Sequence, residues 1–565
     1  MPFLAQEYVR IPNNDLMSWM FDEQKYNLDQ PVYIDAAQPH RTISSRQARS
    51  IARKLCAGFQ AAGLQKGDCV CLLSFNDIMC SMAFLGVLAF GGTFAGTNPS
   101  HTAFELAHAF KVANVRGLVV EPELLPNALK AAKEAGIPWS RIFVFDHHTP
   151  LASPYDRKEG WSVTSSLKGP GGELKSWRSL MQYGEQGWES WDDERRSKQT
   201  TAARLFSSGT TGLPKAVDMT HHNLITQHTL VYDYKPRGYE LSRLLCTPLF
   251  HVSNVPRAYT SPLRSGSKTY IMRRFDLEPF LQNMERFKIT ELNMVPPMVI
   301  QIINSPLSKK YSLKAVKNGG CGAAPLAAEP QARMKALLSP DAVFNQVWGM
   351  SETSCIATMI HFPEHDPTGS VGRFLPNHDS KLVDEDGNDI TDYDVAGELC
   401  VRGPLIVKGY YNNADANRTS FDAEGYFHTG DVALRKRENE LWYIVDRKKE
   451  LIKVRGFQCA PAELEGVLLS HPDISDAGVI GIPAGGFGSS AGEQGSEVPR
   501  AYVVRKQGTR LDESEVQRWM KERLAGYKQL VGGVKFVDVI PKNASGKILK
   551  GELREMAKRE VGAKL

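Results

Sequence analysis

The 565-residue chain has nine cysteines, but none form a CxxC pair or stand at a Cys/His spacing that would hold zinc. Neither a disulfide framework nor a structural metal is expected, and a reducing compartment is. An excess of one charge is missing too: 68 Lys and Arg against 63 Asp and Glu leave a formal +5. With no dense basic stripe, a nucleic-acid binder carried by bulk charge is excluded. The opening MPFLAQEYVRIPNND has no basic leader followed by an apolar run, so no secretory signal is expected. One uncharged stretch, Met79 to Thr97, approaches the length of a bilayer span. Gly91-Gly92 interrupts it, and it reads as a buried helix running into a buried strand. What remains is ordinary globular composition, 42% hydrophobic and 23% charged. It is long enough for ~3 to 4 structural units at about 150 residues each.

Ser44-Ser45 can cap a helix whose apolar positions include Ala48, Ile51, Ala52 and Leu55. Short apolar runs follow at Cys69 to Leu73, Gly117 to Val120, Arg141 to Phe145 and Thr269 to Met272. Helix-length segments separate them, a rhythm of buried, largely parallel sheets. Residues 149–200, rich in Gly, Ser, Trp and charge, break that rhythm and read as a surface excursion. From about 378 to 445, short strands with turn chemistry (Asp386-Gly387, Gly397 to Gly403) predict a small β subdomain. The charged stretch Asp446 to Glu450 is a plausible hinge into a final α/β unit. That unit contains a low-complexity loop, Ala484 to Val498.

The strongest chemical signal is Ser207-Ser208-Gly209-Thr210-Thr211-Gly212-Leu213-Pro214-Lys215. Its glycines free backbone N–H groups to wrap a polyanion, its hydroxyls can donate to phosphate oxygens, and its lysine supplies countercharge. The spacing is not that of the P-loop, and by composition alone a flexible connector is as good a reading.

The string SSGTTGLPK resembles the signature loop of the adenylate-forming superfamily, which holds acyl-CoA synthetases, aryl-CoA ligases such as 4-coumarate-CoA ligase, peptide-synthetase adenylation domains and beetle luciferases. Further segments match in the family's order. They are Thr247 to His251, Cys321 to Leu326, Gln346 to Thr353, Gly372 to Asn377, Gly397 to Leu399, Tyr426 to Asp431, Ile444 to Arg447, Lys449 to Gln458 and Pro541 to Lys547. The resemblance covers about 40 to 560. It implies a large N-terminal domain, 1–446, of two α/β sheet subdomains and a small β-barrel-like subdomain. A small mobile C-terminal α+β domain, 447–565, follows.

The resemblance also implies a reaction. A carboxylic acid is joined to AMP from ATP with release of pyrophosphate, and a thiol then takes the acyl group. Lys547 would bridge the carboxylate and the α-phosphate, and Glu352 would hold Mg²⁺. Asp431 with Arg447 would take the ribose. Trp348 would offer a face to adenine beside Gly322, Ala323, Ala324, Gln346, Gly349 and Ser351. Trp348 and Ser351 stand where the family usually has Tyr and Thr; both keep the ring and the hydroxyl. Lys449 matches the hinge about which the small domain turns, presenting first Lys547 and then Lys453 to Gln458. Arg274, Arg455 and Gly456 fall where CoA-binding groups lie, and His251 sits at the gate between adenylate and CoA. No Asp stands at His251 to pair with a substrate ammonium, which implies an acid with no α-amino group. The acid pocket by the same match includes Phe250, Ser253, Asn254, Arg257, Cys321, Cys355 and Met359. Arg257 would read a second polar or anionic group if it points inward, and is only surface charge if it points outward.

The resulting expectation is an acyl- or aryl-CoA ligase using ATP, CoA and Mg²⁺. Delivery to a carrier protein, a luciferase-like oxygenase and a silent nucleotide or acyl binder remain as alternatives. Ala563-Lys564-Leu565 is close to the SKL address, so a peroxisomal matrix location and a peroxisomal import receptor as partner are expected.

Overall fold

The computed structural model describes residues 2–146, 168–169, 172–207, 214–454, 457–484, 497–543 and 546–562. Ser44 starts the first long helix, Ser45–Ala61, through a reciprocal cap with Gln47, and the helix buries Ala48, Ala52, Leu55 and Phe59 along one face. The run Cys69–Leu73 is a strand buried at every residue, with parallel neighbours Thr93–Gly96 and Val115–Val120. A strand covered on both faces has no polar alternation, which is why it reads as one apolar run. The uncharged stretch divides into the helix Ile78–Ala89, capped by Asp77, and the strand Thr93–Gly96. Among the described residues no helix is long and apolar enough to cross a membrane.

Two large sheets carry the N-terminal region. In the eight-stranded sheet the parallel strands around Cys69–Leu73 continue through Thr201–Ser207 into an antiparallel pair with Lys215–Thr220 and an edge strand, Gly409–Tyr410. In the seven-stranded sheet Val343–Gln346, Asn318–Cys321, Glu291–Met294, Ser242–Leu245, Lys268–Ile271 and Pro31–Asp35 lie parallel in that order. A five-stranded antiparallel sheet from Asp379–Val383 to Trp442–Arg447 forms the β subdomain. The N-terminal segment is stitched to it: Phe3 and Ser380 exchange backbone hydrogen bonds, and Asn377 accepts from Val9 N at 2.7 Å.

The surface excursion expected over 149–200 needs correction. Much of its first part lies outside the described residues, but Lys175–Ser176 pairs in parallel with Ile142–Val144, and Trp177 is 1% exposed against Phe145. Its later part closes a sheet edge. The indole ring supplies the burial, a contribution that overall polarity conceals.

After Arg447 the chain turns, with Glu450 N donating to Arg447 O, and enters a unit with its own core of Ile452, Leu464, Val479, Ala501 and Met520. Its sheet pairs Ile474–Pro483 with Glu497–Arg505 and adds Val534–Phe536 in parallel. Residues 485–496 of the expected flexible loop lie outside the described residues. All nine cysteines are buried and unpaired.

Candidate active site

Strands Thr201–Ser207 and Lys215–Thr220 form a hairpin with Ser207 opposite Lys215, so the two ends of the Ser/Gly/Thr loop are held together. Ser208, Gly209, Thr210, Thr211 and Gly212 lie outside the described residues. The Lys215 ammonium stands 4.7 Å from the centre of the Tyr410 ring. The Tyr410 hydroxyl in turn donates to Glu352 Oε1 at 2.8 Å, and Glu352 is 3% exposed. Thus a buried carboxylate, a lysine and the loop ends converge. That donor set suits a hard divalent cation shared with phosphate oxygens, because such an ion takes one or two carboxylates and completes its shell with water and phosphate. No cluster of three or more His, Cys, Asp or Glu that could hold a metal occurs among the described residues.

The turn after Met350 places Glu352. Ser351–Thr353 is a single 3-10 turn, closed by Thr353 Oγ1 accepting from Met350 N at 2.9 Å. It is followed by two non-glycine residues with positive φ, Ser354 at +54° and Cys355 at +114°. Such conformations cost about 1–3 kcal/mol each and persist only where surrounding contacts hold them. Here Ser354 Oγ donates to Leu405 O at 2.7 Å. Gly349 is obligatory beside this turn, since a Cβ there would lie 1.6 Å from Cys355 O.

Trp348, Asp431 and Arg447 meet directly. The indole N–H donates to Asp431 Oδ2 at 2.8 Å, and Arg447 Nε is 3.1 Å from Asp431 Oδ1. Both carboxylate oxygens are therefore oriented by donors, and Asp431 is only 4% exposed. Trp348 packs edge-on to Phe374 within the subdomain core, so its observed contact is the anchoring bond to Asp431. Gln346, read from the sequence as a nucleotide contact, is corrected. Its amide exchanges two hydrogen bonds of 2.8 Å with Leu326 N and O and donates to Gln331 and Gly369, leaving it to hold the Gly322-Ala323-Ala324 loop. In that loop Ala323 has φ +72°.

On the acid side, the turn after Ser242–Leu245 carries Phe250, His251 and Ser253. His251 Nδ1 lies 2.9 Å from Ser253 Oγ and accepts from Ser253 N at 3.3 Å, and burial pushes its pKa below the usual range. The ring is held neutral. Asn254, expected to line the pocket, is 2% exposed and donates to Thr247 Oγ1 at 2.7 Å and to Pro248 O. It is a brace for the turn. Cys321, Cys355 and Met359 are buried at strand positions, Cys355 with its Sγ 3.8 Å from Ser253 O, and burial raises both thiol pKa values. Arg257 points inward: it is 8% exposed and donates to Ser253 O. Arg274 is exposed just beyond Lys268–Ile271, whereas its neighbour Arg273 is held by Glu121 and Glu123 at 2.6 Å each.

The small unit delivers Lys547 to the opposite side. Its hairpin is closed by Asn543 N donating to Lys547 O and Lys547 N donating to Asn543 Oδ1, both at 2.9 Å. Gly546, at φ +81°, lies so close to the start of helix Pro296–Asn304 that a Cβ would sit 2.9 Å from Pro297. Desolvation, helped by the nearby Arg447, lowers the Lys547 pKa to about 8, while Asp431 and Glu450 pull the other way. Lys449 occupies the turn between Trp442–Arg447 and Ile452–Val454. Lys453 and Gln458 pair across the next hairpin, but Lys453 is 61% exposed and lies 3.8 Å from Glu385 of the β subdomain. This arrangement does not bring the two lysines to one place. Arg455 and Gly456 lie outside the described residues.

Two residues escaped the sequence reading. Tyr410, which orients Glu352, sits on a two-residue strand with no pattern to mark it. Asn76 bridges the sheets, donating to Thr247 O and Met272 O and accepting from Leu249 N. Its only signal is a polar residue closing an apolar run. An open cleft of about 690 Å³, lined by Arg10, Lys198, His222 and Lys408 among others, lies at the Thr220 end of Lys215–Thr220 and includes none of Lys215, Glu352, Asp431, Arg447 and Lys547.

Comparison with known proteins finds matches along most of the chain. The model of the family described as AMP-binding enzyme matches residues 21–411, and that of the AMP-binding enzyme C-terminal domain matches 463–547. The chain is 48% identical to a phenylacetyl-CoA ligase, epaB, of Aspergillus niger, over 98% of each chain. It is 34% identical to 4-coumarate--CoA ligase 1 of Petroselinum crispum over 91% of this chain and 89% of that one. Among solved structures it is similar to ATP-bound MatB from Rhodopseudomonas palustris, with a TM-score of 0.79 and 26% identity over 96% of this chain and 99% of that one. It shares the fold of the anthranilate CoA ligase AuaEII in complex with anthranoyl-AMP, at a TM-score of 0.82 and 20% identity over 99% of both.

Proposed function

The chain belongs to the AMP-binding enzyme family and is an ATP-dependent acyl-CoA ligase that works through an acyl-AMP, and from that premise we propose how its residues divide the two half-reactions. In the first, a carboxylate oxygen attacks the α-phosphorus of ATP and the bond to pyrophosphate breaks. Two anions must meet, so fixed positive charge at that point lowers the barrier. Lys547 supplies it, bridging carboxylate and α-phosphate. Lys215, the Ser207 end of the loop and its backbone N–H groups hold the outer phosphates. Asp431, oriented by Trp348 and Arg447, accepts from the ribose hydroxyls. Glu352, oriented by Tyr410, would hold Mg²⁺, which when bound supplies positive charge to the phosphates.

In the second half-reaction the small unit turns at Lys449, withdrawing Lys547 and bringing the Lys453–Gln458 hairpin to the site, with Arg274, Arg455 and Gly456 toward CoA. The thiol, giving up its proton, attacks the acyl carbonyl, and AMP leaves. Neutral His251 lines the passage between adenylate and thiol. The acid lies against Phe250, Ser253, Cys321, Cys355 and Met359; given the named activity of the Aspergillus niger relative, an arylacetic skeleton is the first to test, with the substituent on its ring left to the residues at the far wall.

The observation that carries this reading is the desolvated Lys547, placed by a separate unit beside the Asp431–Arg447 pair. Mass spectrometry of the reaction with ATP, Mg²⁺, CoA and a panel of fatty, cinnamic, benzoic, phenylacetic and dicarboxylic acids tests it. Thioester from one acid class names the substrate family; acyl-AMP that accumulates with CoA present would count against the second half-reaction as assigned. A peroxisomal destination, read by the import receptor, rests on Ala563-Lys564-Leu565, outside the described residues. Deleting Leu565 should leave a fluorescent fusion in the cytosol, and retained punctate import would rule that address out.

A further inference from the structure

Arg257 is carried by a π-helical turn, Pro256–Thr260, and a second one, Thr229–Asp233, carries Tyr232. Such turns are rare and frequently mark functional sites. The Arg257 guanidinium converges with Cys355 Sγ on the Ser253 carbonyl, so it borders the wall assigned above to the acid. It stands six positions beyond His251 in the sequence.

The charge around it does not balance. Arg237 and Arg243 lie over the Tyr232 ring, at 5.0 and 4.8 Å. Glu291, the carboxylate of this cluster, is already engaged by Arg237 Nε at 2.9 Å, the Tyr239 hydroxyl at 2.6 Å and Asn318 Nδ2 at 3.3 Å. Arg243 is fully buried, and among the described residues its acceptor is Ser267 Oγ, with Nε and Nη2 unpartnered. Arg257 Nε is likewise buried without a partner; the guanidinium is held by the Ser253 carbonyl, the Tyr232 hydroxyl and Cys355, with Glu291 farther off, and none of the ion pairs among the described residues includes it. A buried guanidinium is costly unless paired and hydrogen-bonded, and its planar donors are well matched to a carboxylate.

We propose that Arg257 is a specificity-determining residue that selects acids carrying a second oxygen acceptor, foremost a second carboxylate, at the end remote from the reacting group. The inference rests on the placement of the acid against Ser253 and Cys355. The protein meets the guanidinium with a carbonyl, a hydroxyl and a thiol but no directly paired carboxylate; the bound acid supplies that acceptor, and an acid ending in methyl or bare phenyl leaves the charge without one. A site built to hydrogen-bond a group discriminates strongly against an analogue lacking it.

Matched acids test this: hexanoic against adipic, and phenylacetic against 1,4-phenylenediacetic, scored by kcat/KM for CoA thioester. The acceptor-bearing member should lead by at least about tenfold in the wild type. Arg257→Met should bring the ratio to near one, chiefly through KM, and Arg257→Lys should keep part of it. A wild type that is indifferent, or that favours the plain acids, overturns the proposal without recourse to any variant. So does an unchanged ratio in Arg257→Met. Cys355→Trp, which fills the wall, separates the two levels: if it alters the use of neither member, the wall assignment fails, and if it lowers both while the wild type ignores the acceptor, only the role of Arg257 fails.

Discussion

Lys547 and Lys453 belong to the same small unit, yet their surroundings are opposite. Lys547 is desolvated beside Arg447 and Asp431, with its pKa lowered to about 8. Lys453 is 61% exposed and faces Glu385 across 3.8 Å. The large domain, by contrast, holds its groups in fixed pairs, Glu352 with Tyr410 and Asp431 with both Trp348 and Arg447. On the assignment proposed above, the nucleotide frame is preassembled, while the charge that activates the acid arrives on a movable part. A ligase with two successive chemistries at one carbonyl gains from this division, because the donors that suit phosphoryl attack would obstruct the thiol.

That contrast breaks most severely at Lys547. Lys547→Ala should lower acyl-AMP formation by about 10²–10³-fold or more, the scale of a lost transition-state donor, as read by pyrophosphate release. CoA attack on supplied acyl-AMP should survive, and equal loss of both steps would remove the assigned role. Next in size is Lys449→Pro, which stiffens the turn. Thioester formation should fall on the order of a hundredfold, with pyrophosphate release in the first turnover retained. Normal thioester turnover would exclude Lys449 as the hinge.

A gentler probe is pH. The free enzyme needs Lys547 protonated, so the kcat/KM of adenylation should hold below about 8 and fall by about tenfold per pH unit above it. Lys547→Arg, which stays charged, should lose that alkaline limb even if its rate is lower throughout. The smallest effect is expected at the exposed pair: Glu385→Gln should change stability by under about 1 kcal/mol, given an exposed ion pair, as measured by urea unfolding. A large destabilisation would show that the Lys453 face is held in place.

The legible parts of the fold were those written in local periodicity. The Ser44 cap, the strand Cys69–Leu73 and the division of Met79 to Thr97 each follow from a short window, because caps and burial patterns are local properties. The later part of 149–200 was misread because Lys175–Ser176 and Trp177 join a sheet edge formed by residues far upstream. In the site, motif position identified Glu352, Asp431, Arg447 and Lys547, and the structure brings the last three together. The same motifs placed Gln346 and Asn254 among contacts. Both instead brace their surroundings, because a buried amide must satisfy its donors and acceptor, and the partners at hand are the Leu326 main chain for Gln346 and the Thr247 hydroxyl and Pro248 carbonyl for Asn254.

By itself the sequence determined the family and the reaction class, since these depend on residue type and order, and it named the candidate groups that the proposal above puts to work. Tertiary structure alone decided that Arg257 turns inward, that Tyr410 orients Glu352, and that Lys547 rather than Lys453 faces Asp431. Each of these depends on burial and on partners brought together by sheet pairing and by the pose of the small unit. Desolvation and hydrogen-bond geometry then set which charges are held, which are exposed and which still await an acceptor.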